Sequence, residues 1–311
     1  MLRALLAMQR QSWEQGVASH AFLDLGLADL AFVAARDSVL RQSESGKLAD
    51  LADIGAVNCG AAGEVVRWAA GADAANATGF AAAFDRQLRW LRVGCPRAAD
   101  GALFHLEGVR EVWVDTVYMV VPLLVLAGFV DDAVAQLAGH RRRLFDQASG
   151  LYAARWDEDA QRLVMPRHWG TGNGWVVAGI ARALHHLGRR APEFRADAAA
   201  HAREVIDACL RRRADDGVFH DVVDDPTTFS EANLAQMLAY GMFTGVADGW
   251  LPDSYADAAE SLCASVRPRV DDAGFVTGVC GAPRFDRSGV SAEAQAFFLL
   301  AHAARQRAAA G

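Results

Sequence analysis

The sequence predicts an all-α fold: six buried helices, each backed by an outer one, closed into an (α/α)6 barrel (six-hairpin toroid) with short β-like hairpins at one end. Three observations carry that expectation. A glycine turn recurs at long, unequal spacing, six runs of small and apolar residues are hydrophobic nearly all round, and amphipathic runs fill most of the gaps between them.

The turn pattern is an acidic residue or serine, a glycine, then alternating apolar and aromatic residues. Its copies are Asp100-Gly101-Ala102-Leu103-Phe104-His105, Ser149-Gly150-Leu151-Tyr152, Asp216-Gly217-Val218-Phe219-His220 and Asp272-Ala273-Gly274-Phe275-Val276, with Ser45-Gly46-Lys47-Leu48 as a fifth. Glycine supplies a positive φ, and the alternation predicts a short extended piece after each turn. In chain order the buried runs are residues 13–25, 60–70, 115–128, 174–187, 233–245 and 293–304. Their amphipathic partners are residues 74–93, 131–145, 194–213 and 255–266, with a weaker one at 28–40. No Pro-, Gly- or Ser-rich linker separates the copies, so residues 1–311 are expected to form a single domain. In such a barrel the starts of the inner helices surround one end of a central funnel.

Composition narrows the function. At 311 residues and 52% hydrophobic content the chain can bury a large core. A net charge of -7 without a long basic block argues against nucleic acid, and Arg141-Arg142-Arg143 reads as a solvated helix face. The longest apolar run, 117–130, holds Pro122 and Gly128 and falls short of the ~18 residues a bilayer span needs, so no membrane partner is expected. Residues 1–11 are interrupted by Arg3, Gln9 and Arg10 and lack a secretory pattern, and the five cysteines are scattered without a CxxC pair. A reducing, cytoplasmic location follows, with neither a disulfide framework nor a zinc site. No cofactor or metal is expected: residues 168–175 fit neither a dinucleotide fingerprint nor a phosphate loop, and the acidic stretch 221–231 reads as a loop with N-capping acids.

Chemistry is expected where a polar group stands at the head of a buried run. Asp115 precedes the run 117–130 between Trp113 and Tyr118. A carboxyl against aromatic surface is desolvated, keeps its proton towards neutral pH and can act as a general acid; a plain helix cap is the alternative. His168-Trp169-Gly170-Thr171-Gly172-Asn173-Gly174-Trp175 carries more glycine and tryptophan than a turn requires, which suggests backbone brought close to a ligand between indole walls, although a structural turn would also serve. His105 and His220 hold the same place in two turn copies and could face one funnel or be satisfied structural residues. Asp53 lies ahead of the second buried run, where a second carboxylate would complete an acid pair, and Trp13 opens the first.

Several of these segments act together. Gln11-Ser12-Trp13-Glu14-Gln15-Gly16, the turn 96–105, Val112-Trp113-Val114-Asp115-Thr116 with Tyr118-Met119, and residues 169–175, 232–240 and 294–298 resemble the unsaturated glucuronyl and rhamnogalacturonyl hydrolases. These six-hairpin glycosidases act on oligosaccharides made by polysaccharide lyases, among them pectin fragments, and the resemblance runs along most of the chain. It implies an (α/α)6 barrel and hydration of a 4,5-unsaturated uronic acid, with Asp115 protonating C4 of the vinyl ether and assisting water addition at C5. It implies no cofactor and a small oligosaccharide as partner. Asp53 maps approximately onto the family's second acid, and Trp13, His105, Trp113, His168, Trp169, Thr171, Asn173 and Trp175 are the expected substrate-binding set. Two positions depart from the pattern: Thr171 stands where the family often has Arg, and Ala154 where it often has His. Arg110, Arg167 or His168 would then have to supply the missing cation.

The expected protein is therefore a cytoplasmic hydrolase, a monomer or small homo-oligomer. Two other readings stay open: a carbohydrate-binding or regulatory toroid without turnover, and an ordinary glycosidase using a carboxylate pair on the same fold.

Overall fold

The computed structural model describes residues 1–50, 54–73 and 76–310. Its helices are α1 (Leu2–Met8), α2 (Ser12–Asp24), α3 (Ala28–Leu40), α4 (Gly63–Ala72), α5 (Ala77–Arg89), α6 (Thr116–Leu126), α7 (Val130–Leu144), α8 (Gly170–Leu187), α9 (Pro192–Leu210), α10 (Asn233–Ala247), α11 (Ser254–Val266) and α12 (Ala292–Ala310). A 3-10 segment, Asn58–Ala62, leads into α4. Six of these form the expected inner ring. Neighbours pack in the order α2, the 58–62 segment with α4, α6, α8, α10 and α12, and α12 returns to α2. Each of α3, α5, α7, α9 and α11 backs the inner helix before it, and the short α1 lies against α12.

Small residues let the ring close. A Cβ added at Gly16 of α2 would stand 2.4 Å from the Cβ of Ala61, and one at Gly60 would stand 2.2 Å from the carbonyl oxygen of Met119 on α6. At Gly179 of α8 it would meet the Cα of Tyr118 at 2.9 Å. These contacts bring backbones together in the interior, where any added methylene would force packed helices apart. The same cause corrects one expectation. The run 168–175 is not a loop offered to a ligand; from Gly170 onward it is the first part of α8. A Cβ on Gly172 would meet Val114 at 2.8 Å, and one on Gly174 the Sδ of Met237 at 2.5 Å, so those glycines admit neighbouring elements of the protein.

All five predicted turns have their glycine at positive φ, from +74° at Gly150 to +107° at Gly46. Buried carboxamides pin the extended piece after four of them. Gln87 accepts from Leu48 N–H (2.7 Å), Gln136 from Leu103 N–H (3.0 Å), Asn173 from Tyr152 N–H (2.8 Å) and Gln295 from Val276 N–H (3.0 Å).

The strands are short and antiparallel: β1 (Glu111–Trp113), β2 (Phe145–Asp146), β3 (Leu151–Tyr152), β4 (Arg155–Asp157), β5 (Arg162–Met165), β6 (Phe219–His220), β7 (Ser230–Glu231), β8 (Val279–Cys280) and β9 (Ser288–Gly289). β1, β4 and β5 form one sheet in that order, with a register shift between Arg155 and Trp156, and the others pair as hairpins.

Deep in the ring a buried arginine ties several inner helices together. Arg182 of α8 is 2% exposed, donates to Glu64 of α4 (2.6 Å), Asp24 of α2 (3.1 Å) and the Tyr240 hydroxyl of α10 (3.1 Å), and Arg307 of α12 reaches Asp24 at 3.3 Å. Among the described residues no helix is long and apolar enough to cross a membrane.

Candidate active site

A cavity of about 600 Å³ opens where the inner helices begin. Trp13 enters it from the start of α2, Asn58 from the 3-10 segment, Asp115 from the start of α6, Trp169 and Trp175 from the start of α8 and Glu293 from the start of α12. β1 adds Trp113, β4 adds Arg155, and the loop between β8 and β9 adds Arg284, Phe285 and Asp286.

Aromatic packing builds the walls. Trp13 stands edge-on to Trp175, with ring centres 6.5 Å apart at 90°, and touches Phe285 on its other side at 6.1 Å. Trp175 rests on Tyr118 (4.9 Å) and Phe297 (5.5 Å), and the Tyr118 hydroxyl is held 2.8 Å from His20 Nδ1. Trp113 lies parallel to the imidazole of His105 (4.6 Å, 5° between planes), donates its indole N–H to Glu111 at 2.7 Å, and carries the Arg155 guanidinium 4.7 Å from its ring centre. His105 is hydrogen-bonded through Nδ1 to Thr116 (3.0 Å); burial, with His140 and Arg155 nearby, pushes its pKa down to about 3, so the imidazole is neutral.

Asp115 occupies the N-cap position of α6, yet its side chain makes no capping hydrogen bond, and its Oδ1 is buried without a partner. The cap alternative therefore does not describe this carboxyl. Burial pushes its pKa up to about 7 against the weaker pull of its own backbone N–H and of Arg155. Besides Asp286 on the hairpin loop, two more acids among the described residues share the cavity. Asp221 has a buried, unpartnered Oδ1 and a pKa raised by burial, with Cys280 and Trp169 against it. Glu293 has a buried, unpartnered Oε2 and is pushed to about 8 by burial, with Glu14 and Glu231 adding to it. Glu231 lies behind, buried and pushed up to about 7 by burial despite three backbone N–H donors.

Of the sequence-predicted set, the structure brings Trp13, His105, Trp113, Asp115, Trp169 and Trp175 to this cavity. Asp53 lies outside the described residues; Asn58, five positions further along, lines the cavity. His168, Thr171 and Asn173 do not line the cavity. His168 Nδ1 is 2.6 Å from Asp224, Thr171 is fully buried inside α8, and Asn173 spends its amide on the backbone of Tyr152 and Trp169. Sequence reasoning missed Asp221, Glu293, Arg155 and Arg284. For Glu293 a signal existed: like Asp115, it is a lone carboxyl heading a buried run.

Residues 76–306 match the profile of Glycosyl Hydrolase Family 88. The chain belongs to that family. This family 88 member is 26% identical over 197 residues to the unsaturated rhamnogalacturonyl hydrolase YesR of Bacillus subtilis (strain 168); the match covers 59% of this chain and 55% of that protein, so the chain spans about half the length of the curated relative. Its fold is similar to that of a possible member of the GH105 family from Klebsiella pneumoniae subsp. pneumoniae MGH 78578 (TM-score 0.83, 19% identity, 96% of this chain and 83% of that one). It is also similar to the unsaturated glucuronyl hydrolase of Bacillus sp. GL1 (TM-score 0.68, 16% identity, 93% and 83%). The departures noted in the sequence acquire a location: Ala154 lines the cavity, Thr171 does not, and of the candidate replacement cations Arg167 stands on the cavity wall. Arg110 is instead paired with Asp159 at 2.7 Å.

Proposed function

We propose that this family 88 chain removes a 4,5-unsaturated uronic acid from short, lyase-derived oligosaccharides by hydrating the vinyl ether double bond. The observation that carries the proposal is the Asp115 carboxyl, unspent on the fold and protonated towards neutral pH at the wall of a tryptophan-lined cavity. A vinyl ether is electron-rich and needs a proton before water can add. Asp115 gives its proton to C4, the electron pair of the double bond forms the C4–H bond, and the positive charge at C5 spreads onto the ring oxygen. Water bonds to C5 and returns a proton to the Asp115 carboxylate. The hemiketal opens to a C5 ketone, and the hemiacetal left at C1 expels the saturated sugar as an alcohol, so one water is consumed per bond broken. The unsaturated rhamnogalacturonyl hydrolase activity of YesR and the unsaturated glucuronyl hydrolase activity of the Bacillus sp. GL1 enzyme support the substrate class.

The anionic carboxylate of such a substrate requires a cation. Arg155, Arg167 and Arg284 line the cavity, and Arg155 is already engaged with Glu111 at 3.3 Å. Arg167 and Arg284 carry that role in this reading. A cavity of this volume suits a disaccharide better than a polymer. The wide scatter of the five cysteines along the chain suits a reducing, cytoplasmic setting in this reading.

Unsaturated uronates absorb near-ultraviolet light through their conjugated double bond. Incubation with lyase digests of pectin, hyaluronan and chondroitin should bleach that band for at least one digest. A wild-type protein that binds a digest but leaves every band unchanged would be a binding protein, and the enzyme reading would fall. Asp221 and Glu293 beside Asp115 favour a second reading, an ordinary two-carboxylate glycosidase, which would cleave saturated uronides with no change in the band.

A further inference from the structure

Apart from Glu64, which Arg182 engages deep in the ring, three glutamates among the described residues stand at or just before the starts of inner helices: Glu14 on α2, Glu231 before α10 and Glu293 on α12. Two of them are capping devices. Glu14 accepts from the N–H groups of Arg10 (2.5 Å) and Gln11 (2.8 Å), and Glu231 from those of Asn233 (2.8 Å), Leu234 (2.9 Å) and Cys280 (3.1 Å). Glu293 differs. It is 1% exposed and lines the cavity with Trp13, Trp175 and Asp115, and its Oε2 has no partner in the protein. The Ser291 hydroxyl and the residue's own backbone N–H meet the carboxyl, yet Oε2 stays buried and unpaired, which the fold itself does not require.

Resting on the uronide reading above, we propose that Glu293 holds the sugar through its carboxyl, donating one hydrogen bond to a sugar oxygen and accepting one from a neighbouring hydroxyl. Donation needs a proton, and burial supplies the condition: with Glu14 facing it from α2 and Glu231 from β7, the carboxyl is pushed up to about 8. The other titratable and charged groups lining the cavity are Asp115, Asp221, Asp286, His105 and the cations Arg155, Arg167 and Arg284. Ionised, Glu293 would lose its donor and repel an anionic uronide. Its role is therefore substrate affinity, distinct from the proton transfer assigned to Asp115.

The test measures binding of the unsaturated disaccharide that the wild type consumes, by calorimetry, in an Asp115→Asn background that turns nothing over and removes the titration of Asp115. Glu293→Leu, nearly isosteric and apolar, should weaken binding at pH 6.5 about 10- to 50-fold while the melting temperature holds or rises. Glu293→Gln keeps a donor and an acceptor without a charge and should recover affinity to within about threefold. The Asp115→Asn parent should lose about tenfold in affinity between pH 7.5 and pH 9, a loss that Glu293→Gln abolishes. Equal binding by the parent and by folded Glu293→Leu would overturn the proposal. If Glu293→Leu does not fold, coincident pH curves for the parent and Glu293→Gln overturn it instead. A wild type that consumes no unsaturated disaccharide defeats the underlying reading, a result separable from either of these.

Discussion

Replacing Asp115 by Asn changes a buried acid into a neutral amide of the same size, and its effect on stability can be worked out with its sign. Burial raises the Asp115 pKa from 3.8 to about 7. Between those two values the folded protein keeps a proton that the unfolded chain has released, so stability falls as pH rises through the window and the loss is complete above about pH 7. The full shift is about 3 pH units, or about 4 kcal/mol at about 1.4 kcal/mol per unit. Because the side chain is half-buried beside the cavity, about 2–3 kcal/mol is the expected share. Asn does not titrate, so the stability of Asp115→Asn relative to wild type should climb by that amount from pH 4.5 to pH 8.5. Any pH-independent offset from the amide cancels in the comparison. At about 2.1 cal/mol/K per residue over 311 residues, this corresponds to about 3–5 °C in melting temperature. Parallel thermal melts of the two proteins across that range, with the bleaching assay on a lyase digest, form the experiment. Wild-type kcat should hold below about pH 7 and fall above it as the proton is lost, and the variant should lose about 10²–10⁴ in kcat. A stability difference that stays flat with pH would show that Asp115 carries no native-state proton, and the general-acid assignment would collapse.

Other perturbations test separate parts of the molecule. Arg182→Met should cost about 3–5 kcal/mol in chemical denaturation, because Glu64 and Asp24 lose the buried cation they share and Asp24 keeps only Arg307 at 3.3 Å. Arg167→Gln should raise KM for an unsaturated uronide about tenfold or more with a smaller change in kcat, and the effect should vanish for the methyl ester of the same substrate; an equal effect on ester and acid would place the carboxylate elsewhere. Asn173→Ala should destabilise by about 2–4 kcal/mol in urea, since the amide and carbonyl of Tyr152 lose their side-chain partner inside the barrel, while the Trp169 carbonyl keeps the backbone N–H of residue 173.

Legibility from sequence followed the physics of each element. The inner ring was legible because a helix buried on every side must be apolar on every side, and the five turns because a positive φ selects glycine. Asp115 and Trp13 were found because they head such runs. The run 168–175 was misread from Gly170 onward because glycine serves a ligand and a neighbouring helix equally well, and only the clash of a Cβ with Met237 or Val114 tells them apart. Asn173 looked like a sugar ligand for a similar reason: an amide that holds two backbone groups has the same letter as one that holds a hydroxyl. Arg155 and Arg284 reach the cavity from a bulged strand and a hairpin loop, whose course depends on tertiary packing rather than local pattern.

The electrostatics of the cavity bear on why carboxyls gather at helix starts without behaving as caps. A helix N-terminus favours a carboxylate by about 0.3–1 kcal/mol, rising to ~2 kcal/mol when partly buried. At Asp115, burial works the other way by up to about 4 kcal/mol, so it wins and the proton stays. The same contest is decided the same way at Glu293, where burial again outweighs the helix start. Ionised, these acids would oppose Arg155, Arg167 and Arg284 and repel an anionic sugar. Protonated, they leave the arginines to attract the anion and keep a proton ready for an electron-rich double bond. A substrate that is both anionic and in need of protonation fits this cavity only near neutral pH or below, where one cause, desolvation, satisfies both requirements.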